Sequence, residues 1–253
     1  MIPKIIHFCW LSGDPYPDEI KKCLESWKKY LPEYEIMLWD TNKFDINSSV
    51  WVKEAFENKK YAFAADYIRL YALYHYGGIY LDSDILVYKT FNDLLDLPYF
   101  IGQEYCGSLE PAAFGTEKNN KWVKCILDYY TDRHFVINGR FDTTTLPEIF
   151  NKQLKDKYSF IRIFKKRSYI NDNKVIYVFD KNFFNSRNAY RVVKSKKSYC
   201  AHNYLGSWQK KDKTFISYIK KTIPNIFLDM YFFVTHNTIK KRELRKNEPK
   251  FSN

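Results

Sequence analysis

The sequence predicts an α/β protein, with a helix-flanked sheet over about residues 1–210 and a basic, helical tail over 211–253. Three observations predict it. The chain opens strand, helix, strand. A strongly apolar helix over 61–76 ends at a Gly-Gly pair and runs straight into a short apolar strand. Finally, 253 residues with 45% hydrophobic content suffice to bury a core of this size. Alternating strands and helices favour an α/β sheet whose ligand site lies at the strand ends.

Ile2 to Trp10 reads as a buried first strand, closed by Ser12-Gly13-Asp14-Pro15. Asp18 to Tyr30 carries Ile20, Leu24 and Trp27 at helical spacing, with Pro17 before it and Pro32 after it. Glu35 to Asp40 is the second strand and Val50 to Asn58 a short helix. Tyr61 to Tyr76 follows, with Ala64, Ala65, Ile68, Leu70, Ala72 and Leu73 as its apolar positions. Ile79-Tyr80-Leu81 is a strand that leads into Asp82-Ser83-Asp84 and continues apolar through Ile85-Leu86-Val87. Beyond it, Pro98 to Glu104 reads as a strand and Lys121 to Thr131 as a helix. Val175 to Phe179 and Ala189 to Val193 are further strands, and Tyr199 to Trp208 is loop-rich. From Lys210 basic clusters alternate with apolar groups and end in Lys240 to Lys246.

Composition narrows the classes. With 22 Tyr and 20 Phe the chain is too aromatic for a disordered protein. A formal charge of +12 suits nucleic acid, an anionic membrane face or a polyphosphate ligand, and does not choose among them. Five scattered cysteines without a C-x-x-C pair suggest neither a disulfide framework nor a zinc site, and fit a reducing compartment. Cys9 and Cys125 lie in apolar segments and are expected in the core. The N-terminus lacks signal-peptide character, and no apolar run approaches the ~18 residues of a membrane span. The expectation is a cytoplasmic protein, peripheral on the inner face of the cell membrane, where the basic tail meets anionic lipid.

Asp82 and Asp84 carry the chemistry. In an extended chain, residues two apart point the same way, so both carboxylates can face one site. Hard cations such as Mg²⁺ or Mn²⁺ take carboxylate and phosphate oxygens, and stabilise charge on a departing phosphate. With 17 aspartates in the chain, chance alone supplies about one such pair. The Gly-Gly cap and the apolar residues on both sides place this pair at an interior strand's end. Asp66 and Arg69 share a face of the preceding helix, as an ordinary helix ion pair or as contacts to sugar hydroxyls and phosphate.

The run from Phe63 through Tyr80-Leu81-Asp82-Ser83-Asp84 resembles the signature of glycosyltransferase family 32. That group includes capsule-type bacterial enzymes and yeast mannosyltransferases, and it is similar to clostridial toxin glucosyltransferase domains. The opening Ile2-Pro3-Lys4-Ile5-Ile6-His7-Phe8-Cys9-Trp10 resembles it too, as do Trp39-Asp40 and the late Ala201-His202-Asn203-Tyr204-Leu205-Gly206-Ser207-Trp208.

The resemblance implies a GT-A fold and a metal-dependent, retaining transfer of a hexose. The donor would be a nucleotide sugar, a UDP-sugar first, and the acceptor a saccharide or lipid-linked hydroxyl in surface-polysaccharide synthesis. It implies Mn²⁺ or Mg²⁺ on Asp84 with Asp82 and His202, and donor contacts from Trp10, Asp66, Arg69, Asp82, Ser207 and Trp208. Trp10 can equally be a core residue and His202 a surface histidine. His7 is expected to be structural. Glu104 and Glu110, after the acidic pair, are candidates for residues near the reacting carbon. The family's threonine-glycine-proline element is replaced by Thr144-Thr145-Leu146-Pro147.

Two other readings compete. A haloacid-dehalogenase-type phosphohydrolase also places D-x-D after an apolar strand, but that class has Thr or Val where Leu86 stands. A basic nucleic-acid-binding protein fits the charge, yet no nucleic-acid motif is present and no such partner is expected.

Overall fold

A computed structural model of the chain describes residues 1–103, 108–170, 172–185, 187–188, 191–192 and 194–204. The expected tail over 211–253, Glu104, Ser207, Trp208 and residues 189, 190 and 193 of an expected strand lie outside the described residues. The elements that carry the site belong to one compact unit, which takes in Met1–Arg187 and the described residues from Val192 to Tyr204.

The first half follows the expected order. Strand β1 (Ile5–Cys9), helix α1 (Asp18–Tyr30) and strand β2 (Glu35–Trp39) form a parallel β-α-β unit. Helices α2 (Val50–Glu57) and α3 (Tyr61–Tyr76) lead into β3 (Gly78–Leu81), parallel to β1. Gly77 (φ +67°) caps α3, its N–H bonding Leu73 O at 2.9 Å. Gly78 (φ +105°) lies so near β1 that an added Cβ would sit 2.7 Å from Ile5 O. The Gly-Gly pair therefore both ends the helix and lets β3 enter the sheet against β1.

Next come β4 (Ile85–Val87), β5 (Tyr99–Gln103), β6 (Leu109–Thr116), α4 (Lys121–Leu127) and a small hairpin of β7 (Val136–Ile137) and β8 (Arg140–Phe141). Then follow α5 (Leu146–Leu154), β9 (Ser159–Ile163), β10 (Val175–Phe179) and β11 (Cys200–His202). Seven strands make one sheet in the order β2-β1-β3-β6-β5-β10-β9, with β6 antiparallel to both neighbours and the other pairs parallel. Side chains alternate between two cores. Tyr80, Ile101, Phe114 and Val178 join Trp51, Ile68 and Phe150 under α2 to α5. Leu81, Phe100, Ala113 and Phe179 join Trp27, Phe91 and Phe184 on the side of α1. This is the α/β class predicted from the sequence.

Several expectations need correction. The run Lys121–Thr131 is an α-helix only to Leu127, continuing as a 3₁₀ turn over Asp128–Tyr130. Ile85-Leu86-Val87 does not prolong β3. It turns away and pairs antiparallel with Cys200-Ala201-His202, so part of the segment expected to be loop-rich is a strand. Burial explains it, since Tyr199, Cys200 and Ala201 all lie in the interior. Strand β6 is missing from the sequence reading because Pro111 interrupts it, and proline marks against a central strand. The register of β5 and β6 shifts between Ile101, opposite Phe114, and Gly102, opposite Glu110. The resulting bulge lets a central strand hold a proline and re-aims its side chains. Thr144-Thr145-Leu146-Pro147 opens α5. Thr145 and Glu148 form a capping box there, with Thr145 N–H donating to Glu148 Oε2 at 2.8 Å.

Candidate active site at the end of a central strand

The acidic pair follows β3, in mid-sheet, but strand alternation is not what brings it together. Asp82 to Ile85 is a turn, closed by Ile85 N–H to Asp82 O at 2.9 Å, and Asp82 N–H is held by Ala112 O at 2.8 Å. The turn and the β4–β11 pairing bring His202 alongside, with its Nε2 3.2 Å from Asp84 Oδ1. One ligand atom each from Asp82, Asp84 and His202 lies within 4.8 Å of the others.

Beneath the pair lies a buried guanidinium. Arg69, on α3, sets Nη2 3.0 Å from Asp66 and 3.3 Å from Asp82, and its Nη1 donates to Pro111 O at 2.9 Å. Its face lies 4.6 Å from the Tyr80 ring centroid, and its buried Nε has no hydrogen-bond partner among the described residues. Asp66 and Arg69 are thus an i,i+3 pair, as the sequence allowed, but a buried one that reaches the acidic pair. Burial pushes the Asp66 carboxyl up to about 7, with Arg69 opposing and Asp82 adding to the rise. Asp82 is raised as well, by burial, with Arg69 and His202 working against it.

Glu110 closes the far side. The bulge in β6 turns its side chain inward, where it is 3% exposed. Burial works to raise its pKa, but His202, Ala112 N–H and the Tyr204 hydroxyl outweigh it and hold the carboxyl below its usual range. His202 moves the other way. Burial opposes its charge, yet Asp84 and Glu110 raise it to about 10. Without a cation, the imidazolium is therefore the positive partner of both acids; ligation through Nε2 requires the neutral ring.

These residues fit a hard divalent cation. Four carboxylates (Asp66, Asp82, Asp84, Glu110) face two cationic side chains (Arg69, His202), an acidic excess suited to one divalent ion. Two carboxylates and an imidazole also form a donor set for Mn²⁺ or Mg²⁺.

The other expected residues fall as follows. Trp10, just past β1, donates through Nε1 to Asp14 O at 2.7 Å and sets its ring 4.9 Å from that of Tyr16; it is half-buried. His7 is buried, its ring nitrogens 2.7 Å from Gly77 O and 3.1 Å from Trp39 Nε1. Desolvation lowers its pKa to about 4, so it is a neutral structural bridge between β1, β2 and the Gly-Gly cap. Cys9 and Cys125 are half-buried and packed against the core under α2 to α5. Burial pushes the Cys9 thiol up to about 12. Glu104, Ser207 and Trp208 lie outside the described residues.

Sequence reasoning missed Asn185 and Tyr204. Asn185 Nδ2 donates to Glu110 Oε2 at 2.6 Å and also contacts the Tyr204 hydroxyl. No motif marks Asn185, which reaches Glu110 across 75 residues. Tyr204 lies within the late motif, two residues past His202, and that position was the available signal.

The state of Asp66 is testable through stability. Its folded-state pKa of about 7 exceeds the ~3.9 of an unfolded Asp, so the folded chain binds this proton more tightly. That contribution is complete below the unfolded value and lost as pH rises through about 7. In the metal-free protein, Asp66→Asn should match the native melting temperature near pH 4. Near pH 8 it should exceed it, by an amount equivalent to roughly 2–4 kcal/mol. A variant less stable than the native chain at pH 8, by calorimetry, would show that Asp66 is carried at no cost.

The chain is similar to known proteins over part of its length. Residues 17–101 match the family described as a glycosyltransferase sugar-binding region containing the DXD motif. A mannosyl phosphorylinositol ceramide synthase of Saccharomyces cerevisiae is 34% identical over 105 residues, covering 40% of this chain and 27% of its own. Inositol phosphoceramide mannosyltransferase 3 of Schizosaccharomyces pombe is 29% identical over 126 residues, covering 48% and 35%. The chain thus spans about a third of the length of these relatives. Among solved structures, a glycosyltransferase involved in glycosylating the major capsid of PBCV-1 superposes with a TM-score of 0.45 at 13% identity, covering 79% of this chain and 93% of that one. The matched segment runs from α1 into β5 and carries Asp66, Arg69, Asp82 and Asp84, so the similarity to that sugar-binding region covers the acidic pair and the helix beneath it.

Proposed function

We propose that the protein is a GT-A-type glycosyltransferase that moves a hexose from a nucleoside-diphosphate sugar to an acceptor hydroxyl, with retention of anomeric configuration. The observation that carries this reading is the convergence of Asp82, Asp84 and His202, with Arg69 directly beneath.

In this reading Asp82, Asp84 and His202 hold Mn²⁺ or Mg²⁺. Bound there, such a cation would supply Lewis-acid stabilisation of the negative charge on a departing diphosphate. Arg69 cannot lose its proton and is fixed by Asp66, Asp82 and Pro111 O. It holds the acidic pair in place and adds a fixed positive charge close to the diphosphate. Asp66, ionised above neutrality, accepts hydrogen bonds from sugar hydroxyls. Trp10, half-buried past the end of β1, offers a ring to the nucleotide base.

The donor is a UDP-hexose or, as the relatives' names suggest, a mannosyl nucleotide. The acceptor is a saccharide or lipid-linked hydroxyl in surface-polysaccharide or glycolipid synthesis. Release of nucleoside diphosphate should be detectable with one of UDP-glucose, UDP-galactose or GDP-mannose, depend on added Mn²⁺ or Mg²⁺, and fall by about 10²-fold or more in Asp84→Asn. Undiminished turnover in chelator, or in that variant, would rule out the metal-dependent mechanism.

We propose a membrane surface as the working location. Strand β9 is the outer strand of the sheet, and Phe160, Ile161, Phe164 and Ile170 are exposed on and beside it. Residues 155–174 contain seven basic and two acidic residues. Apolar side chains among cations suit an anionic bilayer interface. No helix among the described residues is long and apolar enough to cross a membrane. The protein should float with vesicles rich in phosphatidylglycerol and not with neutral phosphatidylcholine. Phe164→Ser with Ile170→Ser should abolish flotation, and unchanged flotation of that double variant would eliminate this face.

A further inference from the structure

Glu110 is the most enclosed carboxylate of the site, and both its oxygens are engaged. Oε1 accepts from Ala112 N–H at 3.1 Å and lies 3.6 Å from His202 Nδ1. Oε2 accepts from Asn185 Nδ2 at 2.6 Å and from the Tyr204 hydroxyl at 3.1 Å. Tyr204 in turn stacks on the His202 ring, with centroids 4.0 Å apart and 26° between planes. It does so with φ at +49°, a conformation an aromatic side chain rarely adopts and one that costs about 1 kcal/mol or more. The His202 imidazole is therefore flanked by an aromatic face and an anchored carboxylate. Its other nitrogen, Nε2, points to Asp84.

We infer that Glu110, locked by Asn185 and Tyr204, is a positioning residue. It fixes the His202 ring so that Nε2 is presented to a cation shared with Asp82 and Asp84. A carboxylate behind the far nitrogen of a ligating imidazole sets ring orientation and tautomer and raises ligand basicity; losing it costs about 10–100-fold in metal affinity. With both oxygens occupied and its side chain buried, Glu110 acts through His202 and does not approach a reacting carbon. The strained Tyr204 fits the same role, since its ring and hydroxyl brace two members of the assembly at once. This inference rests on the cation site proposed above.

The test measures Mn²⁺ affinity by titration calorimetry, without donor or acceptor, so no turnover enters the result. The proteins are the native chain, Glu110→Gln, Tyr204→Phe, His202→Ala and the double variant Glu110→Gln/His202→Ala. Glu110→Gln should bind Mn²⁺ about 10–100-fold more weakly than the native chain, and Tyr204→Phe several-fold more weakly. In the His202→Ala background, Glu110→Gln should change affinity by less than about twofold, because its effect passes through the imidazole.

Native-like affinity in Glu110→Gln, or an equal loss with and without His202, overturns the inference. Native-like affinity in His202→Ala does so too. Should Glu110→Gln fail to fold, Tyr204→Phe decides alone: unchanged affinity contradicts the role. If the native chain binds neither Mn²⁺ nor Mg²⁺, the proposed function fails first and takes this inference with it. Native binding with unaffected variants removes only the positioning role.

Discussion

Four carboxylates and two cationic side chains share one poorly solvated region at the end of β3, and the surrounding structure is arranged to make that tolerable. Taking an isolated charge out of water costs several kcal/mol unless it is paired. Arg69 serves Asp66 and Asp82, while His202 serves Asp84 and Glu110. The division leaves an acidic excess: burial, with Asp82 adding to it, raises the Asp66 carboxyl, and against burial Asp84 and Glu110 raise the His202 imidazole. A divalent ion held by Asp82, Asp84 and His202 would offset the acidic excess and would take the place of the proton on the His202 ring. Preorganised but incompletely balanced charge is how a site is made ready for a charged ligand.

The fold supplies this arrangement through irregularities in otherwise regular elements. Gly77 and Gly78 end α3 and admit β3 to the sheet within two residues, which keeps Arg69 and Asp82 adjacent. The bulge in β6 does two things at once: it exposes Pro111 O to Arg69 and turns Glu110 toward His202. The turn after β3 sends β4 away from the main sheet to pair with β11, and that pairing delivers His202. Each irregularity would be a defect in an idealised sheet, and each places one site residue.

Much of the first half was legible in the sequence because its signals are local. The helices 18–30 and 61–76 have apolar spacing and clear ends, and both appear with those bounds. Asp66, Arg69, Asp82 and Asp84 stand out as candidates through helix spacing and the D-x-D pair, and His202 through the late motif, and the structure brings the five together. What stayed hidden depends on distant contacts. β6 reads poorly because Pro111 violates strand rules that a bulge suspends. β11 reads as loop because its partner lies more than 110 residues away. Asn185 carries no local signal, since its partner Glu110 is fixed only once β6 and the loop after β10 meet. The carboxylates of the acidic pair converge through a turn that only the folded chain shows, and not through strand alternation.

The central claim is that a divalent cation is held by Asp82, Asp84 and His202. The most direct measurement is manganese anomalous scattering from crystals grown with Mn²⁺ and a UDP-hexose. The account predicts one strong peak among these three side chains, with diphosphate density against it. Nucleotide density elsewhere in the molecule, with no manganese peak at this strand end, would contradict it.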